Sequence, residues 1–391
     1  MKNNRSILAA FFIFVLGNFS FAKVTWKDVT ERYESLSEIE KVSQLFLVNI
    51  EGNKSYKAVE FLSDGTPVVP GGVLLFSYNI AESVEQLMDF TDSIGQYCID
   101  SNIQRPYVAV DQEGGEVNRL GTITSTLRSC KRIRDNYSAD DAKTIYTLQA
   151  QQMKLLGIHM NLAPVAEPQI DYNRDFLSRR SFGSAPDTMV YSIGCVRAYE
   201  SQNIASTVKH FPGNSNTDPH VGLPIISLSQ AEFDQYFLLP FAFVLNAANP
   251  TCVLMSHAIV EGYSEKVPAC LSSFWINDVL KSKIGYEGLI ISDDIFMGAL
   301  ADNGYPPEKA VVQAIEAGVD VLMLSEKKFL DAAYVLLKEG ERRPDFMKKI
   351  DLAAKRVLKM KMEKIIDCPK NRSERIEEFL EIYGKGQKYE R

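Results

Sequence analysis

Apolar residues along the chain gather into eight short runs: Gln44 to Ile50, Gly72 to Phe76, Tyr107 to Val110, Met160 to Val165, Ser206 to His210, Cys252 to Met255, Leu289 to Ser292 and Val319 to Leu324. Within these runs Val, Ile, Leu and Met are nearly continuous rather than alternating with polar residues. That pattern predicts strands buried on both faces, as in a parallel sheet. The intervening stretches are long enough for helices, and apolar spacing predicts them over Ala139 to Leu156, Ser273 to Lys283 and Pro307 to Ala317. Eight strands alternating with helices predict a (β/α)8 barrel, although an open doubly wound sheet leaves a similar trace. No Gly-x-Gly-x-x-Gly follows the first run, which argues against a dinucleotide-binding sheet.

Polar residues at the ends of the runs favour the barrel. Asp111 with Gln112 and Glu113, Lys209 with His210, His257, Asp293 with Asp294, and Ser325 with Glu326 each close a predicted strand. In a barrel these ends converge on one mouth, where active sites of this architecture lie. The fold class is therefore read as α/β, a (β/α)8 TIM barrel forming a single catalytic domain over residues 23–391. Charged helices close it from about residue 342, and Asn371 to Arg391 reads as a surface helix with a frayed tail.

The N-terminus changes the picture of where the protein works. Lys2 and Arg5 precede an apolar run from Ile7 to Leu16, and Ser20-Phe21-Ala22 offers small residues around a cleavage point. Residues 1–22 are thus expected to be a signal peptide, giving a periplasmic or secreted protein with no stable membrane insertion. Loss of Lys2 and Arg5 takes the formal charge from −7 to −9. An acidic chain without a basic cluster excludes nucleic acid as the main partner. The six cysteines show neither zinc spacing nor a Cys-x-x-Cys pair, so no metal site is expected and at most one or two disulfides.

Local chemistry centres on Lys209-His210-Phe211-Pro212-Gly213 and the following Asp218-x-His220. A carboxylate beside an imidazole fixes its tautomer and favours its charged form, so the histidine can donate a proton near neutral pH. Alone, Asp-x-His in a polar loop is commonplace, and a solvated loop is the plain alternative. Gly114-Gly115 has no P-loop Lys-Ser or Lys-Thr after it and reads as a tight turn. His159, just before a strand, reads as structural.

Taken together, Asp111-Gln112-Glu113-Gly114-Gly115, Arg180-Ser181-Phe182-Gly183, Lys209-His210-Phe211-Pro212-Gly213, Asp218-x-His220 and Ser292-Asp293-Asp294 resemble glycoside hydrolase family 3. The resemblance runs from about Val42 to Glu326 and is to the family's single-domain β-N-acetylglucosaminidase branch. It implies a cofactor-free retaining exo-β-N-acetylglucosaminidase acting on a small N-acetylglucosamine-containing glycan such as a peptidoglycan fragment, and nothing in the sequence argues for more than a monomer. By the same resemblance Asp293 is the nucleophile, His220 the general acid/base and Asp218 its orienting partner. Asp111, Arg119, Arg180, Lys209 and His210 are expected to bind the sugar. His257 either joins them or faces the core as a hydrogen-bonded histidine.

Asp294 is expected to point away from Asp293 and to act structurally. The loop from Asn214 to Thr217 is expected to close over substrate. It departs from the family pattern: Asn214 stands where a second histidine is usual, the loop is about two residues shorter, and a proline precedes His220. Ala166-Glu167-Pro168 likewise lacks a usual aspartate. A glycoside phosphorylase and a non-catalytic glycan-binding barrel are the alternatives, because a histidine acid/base does not repel an incoming phosphate.

Overall fold

The computed structural model describes residues 24–263, 266–366 and 368–389, so the expected signal peptide at residues 1–22 lies outside the described residues. Eight strands form one parallel sheet in chain order: β1 (Phe46–Asn49), β2 (Gly72–Leu75), β3 (Tyr107–Val110), β4 (Met160–Asn161), β5 (Ala205–Phe211), β6 (Cys252–Met255), β7 (Leu289–Ile291) and β8 (Leu322–Leu324). The sheet closes because β1 pairs with β8, Phe46 opposite Leu322, while Ile291 meets Val321 across the β7–β8 seam. The expected barrel is the observed fold, and the open sheet is excluded. The fourth strand is shorter than its apolar run: the regular ladder ends at Asn161, but Leu162 still donates to the Val110 carbonyl and the Ala163 and Pro164 carbonyls still accept from Thr207 and Lys209 around the cis Ala163–Pro164 bond.

Burial on both faces follows from strand alternation. Leu47, Leu74, Ala109, Leu254, Ile291 and Met323 fill the barrel, whereas Phe46, Val48, Val108 and Val110 pack outward under the helices. Glycine is required at position 72, since a Cβ there would sit 2.2 Å from the Tyr107 ring, which occupies the barrel interior.

The helices used below are α1 (Val84–Asp100), α2 (Ala139–Leu155), α3 (Ala185–Ser201), α4 (Leu239–Ala248), α5 (Pro307–Ala317), α6 (Leu330–Arg342), α7 (Pro344–Lys364) and α8 (Arg372–Gly386). Ser83, Ser138 and Ser184 cap the first three, each side chain accepting an N–H three residues on. The segment Phe274–Lys283 forms the expected helix but winds as a π-helix, ending with the Ile284 N–H donating to the Val279 carbonyl. Within it Trp275 is fully buried against Phe211, Phe233 and Tyr263.

No disulfide forms among the described cysteines; five of the six are buried as small apolar groups, Cys252 inside the barrel and Cys130 and Cys195 under the helices. The expected C-terminal surface helix forms as α8 and docks by one face. Phe379 and Ile382 of α8 are buried, and Arg375 binds both Asp92 oxygens and the Leu155 carbonyl.

Helix α7 covers the barrel floor, placing Val357 and Met360 against the interior residues. One turn on, Lys361 is fully buried and donates to Gln44 Oε1 at 2.6 Å. Burial pushes its ammonium down to about 7, helped by the charge of Arg32 and opposed by Cys98. Between that value and the ordinary lysine value of about 10.4, the unfolded chain holds a proton that native Lys361 does not. Stability therefore rises with pH across that window, and the full cost of the buried charge persists below it. Lys361→Met should raise Tm most near pH 6, with a gain that shrinks by about pH 9.5. Thermal unfolding of both proteins at the two pH values measures this, and a pH-independent difference would contradict it.

Candidate active site

A cavity of about 240 Å³ opens at the C-terminal ends of the strands. Asp111, Arg119, Arg180, Lys209, His210, His220 and Asp293 all line it. Asp218 stands behind His220. His257 does not line the cavity: it is fully buried, and its expected sugar contact is corrected below.

The wall beyond β3 and β5 is ionic. Glu113 has no exposed side-chain surface and takes both Nε and Nη2 of Arg180 at 2.8 Å, while Lys209 Nζ lies 2.6 Å from Glu113 and 2.6 Å from Asp111. Burial alone would raise the Glu113 carboxyl, but Lys209 and Arg180 hold it far below the carboxylate range. Burial alone would likewise lower Lys209, yet Asp111 and Glu113 keep its ammonium above the ordinary value. With two donors of Lys209 engaged and Arg180 forked on one carboxylate, each cation retains N–H groups for a ligand. Asp111 keeps its second oxygen as an acceptor.

Each residue of the Asp111 to Gly115 element has a distinct part in building that wall. The Gln112 side chain donates to Asn118 and accepts from the Leu120 N–H, fixing the hairpin that carries Arg119. Gly114 and Gly115 turn with φ of +95° and +66°, and a Cβ would approach Arg128 O to 2.4 Å or Ser129 Cβ to 2.5 Å. The expected tight turn is what they form. Arg119 lies over the Phe76 ring, 5.9 Å from its centre.

Sequence reasoning gave Glu113 and Glu167 no role. Glu167 is buried, and its Oε1 accepts from His210 Nδ1 at 2.7 Å, from the His210 N–H at 3.2 Å and from Asn214 Nδ2 at 3.3 Å. With Nδ1 committed to that carboxylate, the Nε2 edge of His210 is the one left to face the cavity. The signal lay in two departures from the family pattern, Glu167 and Asn214, which meet each other in space.

Asp293 is 7 % exposed and its Oδ1 accepts the Asp294 N–H at 2.9 Å. Asp294 also reaches the cavity wall, but its Oδ1 accepts from the Phe296 and Ser325 amides, each at 3.0 Å. Burial raises the Asp294 carboxyl, while those bonds pull the other way. His257 props this turn from behind. Its Nε2 lies 3.0 Å from the Asp294 carbonyl, which can only accept, so Nε2 carries the proton and Nδ1 faces the Cys270 thiol at 3.2 Å. Burial lowers the His257 pKa and raises that of Cys270 well above its ordinary value, so the pair stays neutral. His257 is therefore the core-facing, hydrogen-bonded histidine of the two readings.

The histidine loop is open. Asp218 and His220 side chains are 52 % and 70 % exposed, and Asp218 Oδ1 takes both the His220 N–H at 2.9 Å and Nδ1 at 2.7 Å. Burial nudges the Asp218 carboxyl up, but these two bonds hold it below its ordinary value. The Nε2 edge of His220 is left for a ligand. Asn216 ties the loop to the segment before Phe176, accepting from the Asp175 N–H at 2.8 Å and donating to the Asp171 carbonyl at 3.1 Å. Gly213 turns at φ +138° beneath Phe237, where a Cβ would lie 2.2 Å from the ring. Among the described residues no group of three or more His, Cys, Asp or Glu is placed to hold a metal ion. None of their helices is long and apolar enough to cross a membrane.

Comparison with known proteins adds lineage to this geometry. The family model for the glycosyl hydrolase family 3 N terminal domain matches residues 38–360. The chain is 32 % identical over 265 residues to a beta-hexosaminidase of Alkalilimnicola ehrlichii, covering 65 % of this chain and 73 % of that one. It is 28 % identical to beta-hexosaminidase A of Pseudoalteromonas piscicida, over 65 % of this chain but only 45 % of that longer protein. Among solved structures, a glycoside hydrolase family 3 beta-N-acetylglucosaminidase from Paenibacillus superposes with a TM-score of 0.78 at 26 % identity, covering 89 % of this chain and 69 % of that one.

The ionic wall makes a stability prediction with a definite pH sign. Because the native Glu113 carboxyl is depressed, its contribution is complete above the unfolded value of about 4.3 and is lost as pH falls below it. Glu113→Gln should destabilise the fold by about 3–5 kcal/mol near neutral pH, since two buried cations lose their shared anion. Urea unfolding should show the gap to wild type narrowing below about pH 4.

Proposed function

The chain belongs to glycoside hydrolase family 3, and from that premise we propose that it is a retaining exo-β-N-acetylglucosaminidase with Asp293 as nucleophile and His220 as general acid/base. The observation that carries this reading is the placing of Asp293 and the His220 ring on one small cavity whose other wall is the Asp111, Lys209 and Arg180 network. At about 240 Å³ the cavity is smaller than the roughly 300–1,000 Å³ typical of larger ligands. That size suits a single terminal sugar ring.

In the first step an Asp293 oxygen attacks the anomeric carbon as the glycosidic C–O bond breaks, and His220 Nε2–H protonates the departing oxygen. Asp218 holds Nδ1–H throughout, stabilising the charged ring before transfer and fixing the tautomer afterwards. In the second step neutral Nε2 takes a proton from water, whose oxygen attacks the anomeric carbon and releases Asp293. Asp111 accepts from sugar hydroxyls, Lys209, Arg119 and Arg180 donate to them, and His210 Nε2 accepts. Asp294 and His257 fix the main chain that carries the nucleophile.

The substrate we infer is a β-linked N-acetylglucosamine terminus on a peptidoglycan fragment or related glycan, met by an exported monomer once residues 1–22 have been removed. Closure of the His220 loop over that substrate completes the site. A ligand-bound crystal structure with His220 unmoved from its free position would remove the closure step.

Kinetics on aryl N-acetylglucosaminides test the assignment. Asp293→Ala should abolish hydrolysis, and full activity in that variant would overturn the reading. His220→Ala should slow turnover by about 10²–10⁴-fold, least for aryl groups that leave without a proton. Free N-acetylglucosamine should form at the same rate with or without phosphate, whereas a phosphate requirement would assign phosphorolysis instead.

A further inference from the structure

A second cavity, of about 360 Å³, lies on the same face of the barrel as the site, between the turn after β7, the loop after β8 and the first turns of α5 and α6. It shares two ridges with the site. Met297 lines the site cavity while Phe296 lines the second one, and Ser325 and Glu326 divide in the same way. Both ridges are pinned to one atom, because Asp294 Oδ1 accepts the Phe296 and Ser325 amides at 3.0 Å each. The groove is thereby held in a fixed position relative to Asp293, the neighbouring residue.

Topology decides what can enter it. In an eight-stranded barrel β3 and β7 lie opposite each other, so a sugar whose hydroxyls meet Asp111 and whose anomeric carbon meets Asp293 spans the mouth between them. Whatever follows the anomeric oxygen then passes over the β7–β8 rim. His220 stands at that rim as well, its carbonyl oxygen 3.6 Å from where a Cβ on Gly298 would be.

The lining sets the chemistry. Phe296, Phe329, Ala332 and Val335 make the groove mostly apolar. Glu308, Glu326 and Asp331 edge it, and none of the three carboxylates has an ion pair or a hydrogen bond among the described residues. The α6 amides nearest Asp331 are already met by Glu60, which accepts the Phe329 and Leu330 N–H groups. Lys328, the cation among the described lining residues, lies in the field of that same Glu60. An apolar surface edged by uncommitted carboxylates matches an aliphatic chain that ends in an ammonium.

Resting on the reading of the site as an exo-glycosidase, we propose that this groove is a subsite for the leaving portion of the substrate and selects one that carries an aliphatic chain with a free amine. The chain lies along Phe296 and Val335, and the ammonium meets Glu308 and Glu326.

Rates on hexyl, aminohexyl and carboxypentyl N-acetyl-β-glucosaminides test the proposal, with the methyl and an aryl glycoside as references. The aminohexyl glycoside should show the highest kcat/KM, about threefold to fivefold above hexyl, as befits exposed ion pairs, and the carboxypentyl glycoside should fall below hexyl. Hexyl in turn should exceed methyl. The amine advantage should shrink at high salt and vanish in Glu308→Gln/Glu326→Gln. Both side chains are exposed, so the double variant should cleave the methyl and aryl glycosides as wild type does. Ala332→Trp, which fills the groove away from the site, should also erase the difference between hexyl and methyl. Equal kcat/KM for hexyl and aminohexyl, or an amine advantage that survives in the double variant, would overturn the subsite and leave the glycosidase reading standing. Failure to cleave the aryl glycoside would instead remove that reading, and the subsite with it.

Discussion

An ionised carboxylate with no water around it needs cations fixed in place, and Glu113 obtains them from two different parts of the barrel. Lys209 comes from β5 and Arg180 from the connection between β4 and α3, so one buried anion fastens three stretches of chain far apart in sequence. The arrangement costs desolvation that only close, hydrogen-bonded partners can offset. In return the cations that face the cavity are immobilised before any ligand arrives, so their donors need little reordering when one binds. Asp111 shares Lys209 with Glu113 and is aimed by the same network.

The site therefore divides into a stiff half and a loose half. Glu113, Glu167 and His257 are buried; Glu113 holds two cationic side chains, Glu167 the ring of His210 and His257 the main chain at Asp294. Asp218 and His220 are mainly exposed and are positioned chiefly by one another. A pocket that recognises hydroxyls benefits from rigidity, because misplaced donors lose directional bonds. The general acid/base role proposed for His220 suits the freer half, since such a group has to meet leaving groups of different shapes.

The barrel was readable because its chemistry is periodic. Runs buried on both faces and polar residues at their ends are local patterns, and each strand forms on its predicted run, the fourth and eighth shorter than theirs. The chemically active residues could be found because strand ends converge in this topology. What could not be read were the relations between distant residues. Glu113 stands beside Asp111 in sequence, yet only folding reveals that it faces Arg180 and Lys209. Glu167 and Asn214 looked like two separate departures from a family pattern until they met across a hydrogen bond. His257 shared the strand-end signature of the cavity residues, but its direction depended on Cys270 and on the turn at Asp294. The π-winding of residues 274–283 was hidden for the same reason, since apolar spacing announces a helix but not its pitch.

Asn216 has a mechanical consequence. Because it binds the main chain at both Asp171 and Asp175, the histidine loop cannot swing away without breaking those bonds or dragging the neighbouring segment with it. That segment carries Phe176, whose ring lies against both Arg180 and His210. Displacement of His220 is thus geared to the apolar cover over Arg180 and His210. In the closure proposed above the two loops would have to move as one hinged shutter, changing the hydration of the cationic wall and the approach of His220 together.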